Sequence, residues 1–595
     1  MILTQNPSKV KGIYVKILIF IALISSCDTT EIHKSNLAEI LKKDWDTRIK
    51  ESPLFATSVG VHDYNHLLAS VTIEDQQRRN AYNQVLLEEI NAIDSANLDK
   101  SEWVSYQLFK YQLEDRLANF KFKGYLVPIQ ADGGFHTGFA RLPYNVPLKT
   151  ENDYDNYIKR LLAYPEYVNQ HIELMRLGIE EGITLPRVVL NGYEGTISSH
   201  VVGDPAQSVF YKPFENFPAT FSEEIKSRLT EKGSNAIVEG VVEGYKQFLI
   251  FMVEEYIPGA RITIGASDLP NGEEYYKQRL QYFTTLPMTV DEVHDKGLEE
   301  VARIKAEMQV IIKQVGFDGD FQAFLDFLRT DEQFYAKTPE ELLKEAAYIA
   351  KKMDGKLPSL FGKLPRLPYG VEPVPDEIAP KYTGGRYVSA PKGGTRAGYY
   401  WVNTYKLENR PLYVLESLTL HEAVPGHHLQ GSLARELEDL PDFRSRMYIS
   451  AFGEGWGLYS EWLGLEAGFY QDPYSNFGRL TYEMWRACRL VVDTGIHAKG
   501  WTRDQVINYL AENTALSIHE ITTETDRYIA WPGQALSYKI GEMTIKRLRK
   551  KAEEELGENF DVREFHDKVL ENGAVTLPIL EQIIDDYIAF KSTIK

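Results

Sequence analysis

Eight residues in the last third of the chain, His-Glu-Ala-Val-Pro-Gly-His-His (421–428), constrain the fold and chemistry more than any other stretch. They hold three of the chain's 13 histidines. A His-Glu pair on a helix, with a second His one turn later, places two imidazoles on zinc and a general base beside them. That pattern needs a His four residues after His421, and Pro425 stands there instead. The pattern therefore fails as written.

Two geometries restore a two-histidine site. On a straight helix turning ~100° per residue, His421 and His428 share a face but lie about 10 Å apart along the axis. Alternatively, Pro425 and Gly426 break the helix and loop out the extra residues, so that His427 takes the usual position. We favour the second geometry, with His428 as the alternative ligand. A helix end carrying surface histidines would also fit, because Pro-Gly is a common helix breaker.

The composition is that of a large globular protein, with 595 residues, 43% hydrophobic and 25% charged. The net charge of -19 argues against a nucleic-acid partner, because phosphate binding needs a basic surface.

Residues 1–27 predict an export signal. A basic segment precedes the apolar run 17–24, which is too short to span a bilayer. The following Ile24-Ser25-Ser26-Cys27 resembles a bacterial lipobox, which implies cleavage before Cys27 and lipidation of its thiol. A simple signal peptide or an N-terminal anchor helix is the alternative. The predicted location is the cell envelope, lipid-anchored on the periplasmic or outer-surface side.

Helical periodicity dominates from about residue 37 to 350. Thr289-Val290-Asp291-Glu292 and Thr338-Pro339-Glu340-Glu341 look like capping boxes. Each precedes an apolar stripe. The predicted stripes comprise Val290, Val293, Leu298, Val301 and Ile304 after the first box, and Leu342, Leu343, Ala346 and Ile349 after the second.

Residues 357–411 are richer in Pro and Gly and predict a small sheet or ordered loop, with a strand within 398–405. An edge strand there could bind a peptide backbone by strand addition. A purely structural strand fits the same residues.

A second predicted helix carries the sequence Gly-Glu-Gly-Trp-Gly-Leu-Tyr-Ser-Glu (453–461). Glu454 is the candidate third zinc ligand, and Glu461, seven residues later on the same face, would orient a ligand. Glycines at 453, 455 and 457 are costly inside a helix, which predicts close packing there.

Two further polar groups follow. Glu483, Arg486, Arg489, Asp493 and His497 recur every three or four residues in an apolar helix. Buried ion pairs that set helix register explain this spacing better than catalysis does. The segment 527–538 offers Arg527, Tyr528 and Tyr538 as candidate donors to the oxyanion of a tetrahedral intermediate.

Four segments together carry a resemblance to a family of bacterial lipoproteins, domain of unknown function 885. These are 421–428, Glu-Gly-Trp (454–456), Asp-Thr-Gly-Ile-His (493–497) and Pro-Gly-Gln-Ala-Leu-Ser-Tyr (532–538). The family in turn resembles helical zinc peptidases such as the Taq-type carboxypeptidases and angiotensin-converting enzyme. That resemblance implies Glu454 as third ligand, Glu461 behind it and Tyr538 as the transition-state tyrosine. The two extra residues in the first motif leave the second His ligand open.

The sequence therefore predicts a mainly α-helical, zincin-like domain over residues 28–595, with a deep cleft between two helical halves and a small β element. One zinc ion would be held by His421, His427 and Glu454, with water in the fourth position. Glu422 would take that water's proton and Tyr538 would hold the oxyanion. The predicted reaction is hydrolysis of peptide bonds, in short peptides because the resembled enzymes have enclosed channels.

A non-peptide amidase at the same metal and a non-catalytic lipoprotein that binds peptides or metal are the alternatives. The predicted partners are a peptide substrate and the membrane, the latter through the lipid anchor alone. The sequence does not fix an oligomeric state.

Overall fold

The computed structural model describes residues 36–131, 133–376, 378–390 and 396–593. It is 69% helical with two small sheets, which confirms the mainly α-helical fold. Among the described residues, no helix is both long and apolar enough to cross a membrane. The predicted signal peptide and Cys27 lie outside the described residues, so their processing stays a prediction, as does the deep cleft.

The helices that form or pack against the candidate site are labelled α1 to α7. Their bounds are Val290–Gln314, Leu415–Glu422, His427–Arg435, Ser450–Leu463, Pro473–Ala498, Ile518–Ala530 and Ser537–Leu556. The other α-helices span 36–51, Pro53–Ser58, Ile73–Asn91, Lys100–Lys121, Phe135–Phe139, Leu142–Asn145, Glu151–Leu162, Tyr164–Glu181, Gly195–Ser198, Glu223–Ala236, Glu243–Phe251, Ile257–Gly259, Gly272–Thr284, Phe321–Thr330, Pro339–Asp354, Leu357–Leu360, Arg503–Asn513, Val562–Leu570 and Leu577–Thr593.

The two predicted capping boxes mark real helix starts. The Thr289 side chain accepts from the backbone N–H of Glu292, whose carboxylate accepts in return from the Thr289 N–H at 2.8 Å. Thr338 likewise accepts from the N–H of Glu341. The Glu341 carboxylate, however, accepts from the backbone of Lys337, so only half of the second box is present.

The apolar stripes are mostly buried, with one error. Leu298 is 44% exposed, whereas its predicted partners Val293, Val301 and Ile304 are buried. Gly297 contacts α5 in its place. The approach is so close that a Cβ at Gly297 would lie 2.8 Å from side-chain atoms of α5. The second stripe is buried at Leu342, Ala346 and Ile349.

The predicted β element is a three-stranded sheet. Its strands are β3, Tyr369–Pro373, β4, Gly385–Val388, and β5, Gly398–Val402; a separate two-stranded ribbon pairs β1, Ile129–Gln130, with β2, Gly133–Gly134. The order is β3-β5-β4, with β5 parallel to β3 and antiparallel to β4. The run predicted as a possible edge strand is therefore the central strand, and its proposed strand addition is wrong. Both edge strands contact the motif, β3 through Tyr369 and β4 through Tyr387.

Buried ion pairs fix the register of the long helices α1, α5 and α7. The Lys539 ammonium is fully buried and lies 2.8 Å from the carboxylates of both Glu300 and Glu483, and 3.0 Å from that of Glu542. Burial lowers the pKa of Lys539, but the three carboxylates outweigh burial and raise it. The register-setting role predicted for the polar group on α5 thus applies to Glu483.

Candidate metal centre

The turn between α2 and α3 brings two histidines together. It reverses tightly: the Gly426 N–H donates to the Leu420 carbonyl at 3.0 Å. A Cβ at Gly426 would lie 1.8 Å from the carbonyl oxygen of His421, so no other residue fits this approach. The His421 and His427 rings consequently meet almost at right angles, with centroids 4.8 Å apart.

Three side-chain atoms converge at this point. Oε2 of Glu454, from α4, lies 3.6 Å from Nε2 of His421 and 3.4 Å from Nε2 of His427. Ligands held 2.0–2.1 Å from a tetrahedral zinc ion are roughly 3.4 Å apart, which matches these separations. His421 is buried, while His427 and Glu454 are 18% and 14% exposed, so the group is open to solvent on one side.

His428 faces away from this group and is buried. Its Nδ1 lies 3.1 Å from the hydroxyl of Tyr387 and 3.3 Å from that of Ser432. The Tyr369 ring packs on it with a centroid distance of 4.5 Å. Burial lowers the pKa of His428 to about 4. The structure thus has the looped-out geometry, with His427 beside His421.

Glu461 orients His421 from behind. The His421 Nδ1–H donates to Glu461 at 2.8 Å, so its Nε2 faces Glu454. Arg486 in turn lies 3.4 Å from the same carboxylate oxygen of Glu461. Burial disfavours a charged His421, but its hydrogen bonds with Glu454 and Glu461 outweigh burial and raise its pKa to about 10. Glu454 and Glu461 therefore stabilise a positive charge at His421, and either a proton or a metal ion can supply that charge.

Glu422 is fixed next to the cluster but is not part of it. Its Oε2 accepts a hydrogen bond from the backbone N–H of Tyr387 on β4 at 2.8 Å. The grouping of possible metal ligands among the described residues comprises His421, His427 and Glu454 only. Glu422 thus keeps one oxygen clear of this backbone contact.

The three glycines of α4 each have a close neighbour, as their cost in a helix predicted. A Cβ at Gly457 would lie 2.6 Å from the His421 ring, and one at Gly453 would lie 2.6 Å from the Tyr448 ring. A Cβ at Gly455 would come within 2.5 Å of the Cα of Gly541, where α4 crosses α7. The His421 ring therefore packs directly on the backbone of α4 at Gly457.

Tyr448 is a site residue that the sequence did not reveal. Its hydroxyl donates to Oε1 of Glu454 at 2.6 Å, which leaves Oε2 to face the histidines. Its ring is 57% exposed. Tyr448 precedes α4 in an extended segment, so no helical periodicity connects it with Glu454. A tyrosine shortly before a candidate ligand was the only available signal.

Tyr538 lies at the start of α7 among arginines. The Arg527 guanidinium is 3.4 Å from its hydroxyl, and that of Arg489 stacks 4.3 Å from its ring centroid. Arg386 on β4 is within electrostatic range of both Glu422 and Tyr538. The structure gives no hydrogen bond between Tyr538 and the three metal-ligand candidates.

Tyr528, the other tyrosine considered as an oxyanion donor, is buried and already bonded. Its hydroxyl accepts from Trp485 Nε1 and from Arg489 Nε, each at 2.8 Å. Through this bond Tyr528 holds Arg489 against the Tyr538 ring. Arg489 and Arg527 both pair with one carboxylate, Glu524, so these three side chains together carry one net positive charge.

The donor set of two imidazoles and one carboxylate is that of catalytic zinc sites with three protein ligands. Its spacing, its open side and its need for positive charge all fit such an ion. Comparison with known proteins assigns the family. The chain matches the family of bacterial proteins of unknown function DUF885 over residues 53–584, and it belongs to that family.

Two solved structures are similar over almost their whole length. One is described as a "putative lipoprotein" from Colwellia psychrerythraea, with 29% sequence identity and a TM-score of 0.86, covering 94% of this chain and 100% of that one. The second, a "putative lipoprotein of unknown function" from Shewanella oneidensis, shares the fold at 20% identity and a TM-score of 0.69, covering 92% and 99%. No curated protein matches the chain.

Proposed function

We propose that this protein is a zinc-dependent hydrolase that cleaves peptide bonds in short peptides. The convergence of His421, His427 and Glu454, with Glu422 held beside them by the backbone of β4, is the observation that carries the proposal. A binding protein needs ligands for a metal but has no need of a positioned base next to them.

The proposed mechanism assigns a task to each side chain. When bound, zinc supplies a Lewis acid that polarises a carbonyl and activates water. Glu422 accepts the proton of the attacking water and passes it to the leaving amine. Tyr538, supported by Arg527, donates a hydrogen bond to the oxyanion. Glu461 holds the His421 ring in the orientation that presents Nε2.

The resemblance to helical zinc peptidases supports the choice of peptide bonds and of short substrates. For the location, we propose a lipid anchor at Cys27 that holds the protein on the cell envelope. The lipobox-like Ile24-Ser25-Ser26-Cys27 supports this anchor. The description of the Colwellia protein as a "putative lipoprotein" agrees with it.

Metal analysis combined with a peptide library tests the proposal. The purified protein should contain one zinc per chain and cleave short peptides, and Glu454→Ala should lose both properties. Glu438→Ala, an exposed carboxylate beyond α3, is the matched control and should retain both. Turnover of non-peptide amides alone would favour the amidase. Peptide binding without turnover would favour the binding protein.

A further inference from the structure

A cavity of about 200 Å³ lies beside α2, the helix that carries His421. Its apolar wall comes from several elements, and the wall residues include Tyr335, Leu342, Tyr413, Leu415, Leu418 and Leu516. A cavity of about 150 Å³ in an apolar core accepts benzene. This cavity therefore has room for a substituted aromatic ring.

The cavity is bounded by the elements that build the metal site. Leu418 in its wall precedes His421 by three residues on α2, a rise of about 4.5 Å. Tyr482 lines it from α5, and the Tyr482 ring lies 4.7 Å from the Arg486 guanidinium that pairs with Glu461. Gly384, next to β4, completes this side. The cavity thus shares α2 and α5 with the candidate metal centre.

Two polar atoms in the wall lack a partner within the described part of the chain. They are Oγ1 of Thr481, a residue 1% exposed, and the buried Nε of Arg410. A buried polar atom without a partner is costly. Both atoms are shielded from the cavity itself, so they mark a polar layer behind its apolar surface and not a contact for a ligand.

The cavity wall carries two arginines, Arg329 and Arg410, and two carboxylates, Glu408 and Glu520. Arg329 donates to three backbone carbonyls between residues 511 and 516 and to Asp326. Burial raises the pKa of Glu520 to about 7, so this carboxyl is partly protonated near neutral pH and a small excess of positive charge remains. That excess disfavours a Lys side chain in the cavity.

We infer that this cavity is the subsite for a large neutral aromatic side chain of the substrate. The inference rests on the proposed function and specifies its substrate class. Peptides with Tyr, Phe or Trp near the cleaved bond should be preferred over those with Ala, Lys or Glu. A hydrophobic subsite typically discriminates by about 10–200-fold per group, which sets the expected scale.

Ala515 allows the cavity to be filled without removing a wall contact. It is 4% exposed and lines the cavity. Ala515→Phe should lower kcat/KM for Tyr-containing peptides at least tenfold and change that for their Ala counterparts less than twofold. Ala515→Ser, which adds no bulk, should keep the preference. Leu516→Trp, a second filling variant, replaces Ala515→Phe should the latter fail to fold.

Equal cleavage of Tyr and Ala peptides by the parent would overturn this inference and leave the proposed function standing. The same holds if both filling variants keep the preference. If the parent cleaves no peptide, the proposed function fails. Ligand-observed NMR with N-acetyl-tyrosinamide then tests the cavity alone, and equal binding by the parent and Ala515→Phe would overturn it.

Discussion

Glu461 accepts a hydrogen bond from Nδ1 of His421 at 2.8 Å, and this bond determines which nitrogen of the buried ring faces Glu454. Carboxylates behind a ligating imidazole raise its basicity and fix its tautomer, and their loss typically costs about 10–100-fold in metal affinity. We therefore expect Glu461→Gln to bind zinc 10–100-fold more weakly in a chelator competition. Glu466→Gln, a neighbouring carboxylate paired with Arg549, should bind zinc like the parent. If Glu461→Gln bound zinc as tightly as the parent, the role of Glu461 would be confined to its ion pair with Arg486.

The two adjacent histidines should respond oppositely to substitution. His427→Ala should lose stoichiometric zinc, because one of three ligands is gone. His428→Ala should keep zinc but lower the melting temperature, because the buried hydroxyl of Ser432 and the half-buried hydroxyl of Tyr387 lose a partner. Metal analysis and thermal unfolding of both variants give the answer. If His427→Ala kept zinc and His428→Ala lost it, His428 would be the second ligand, as the straight-helix geometry requires.

Tyr538→Phe separates catalysis from folding. The Phe ring keeps the stacking contact with Arg489, so folding and zinc content should match the parent. Removal of one oxyanion donor typically costs about 100–1,000-fold in turnover, and kcat should fall by that amount. Tyr528→Phe is the contrast: it should destabilise the fold, because Trp485 and Arg489 lose their acceptor. Full activity in Tyr538→Phe would assign Tyr538 to packing.

Glu422→Gln tests whether the site is catalytic. The amide oxygen can still accept from the Tyr387 N–H, so the local structure should survive. Zinc and peptide binding should match the parent, whereas hydrolysis should fall by about 100–10,000-fold, the range for a lost general acid–base. Parent and variant would be equally inert, and equally able to bind peptides, if the protein were only a receptor.

Cys27→Ser tests the anchor. The variant should appear in the soluble fraction, while the parent stays with membranes. One acyl chain holds a protein only marginally, so stable retention requires the multiply acylated form. A substitution at the neighbouring Asp28 that preserves retention is the control. Retention of Cys27→Ser on membranes would favour an uncleaved anchor helix.

The sequence predicted what local pattern determines. The helix starts at Thr289 and Thr338 follow from side chains within one turn, and Glu461 was predicted from its seven-residue spacing to Glu454 on one helix face. Contacts between segments that are far apart in the chain could not be predicted from the sequence. The central position of β5, the contact of β4 with Glu422 and the bond from Tyr448 to Glu454 each depend on tertiary packing. The predicted burial of Leu298 was wrong, because Gly297 and not Leu298 contacts α5 at the interface between the two helices.

The crossing of α4 and α7 at Gly455 and Gly541 limits how far the candidate site can change shape. Glu454 adjoins one of these glycines and Tyr538 precedes the other by less than one turn, so backbone contact fixes the spacing between them. Two helices in such contact cannot separate by rearranging side chains, and larger residues at either glycine would push them apart. The proposed metal ligand and the proposed oxyanion donor thus keep a fixed separation, to which the reacting part of a bound peptide must conform.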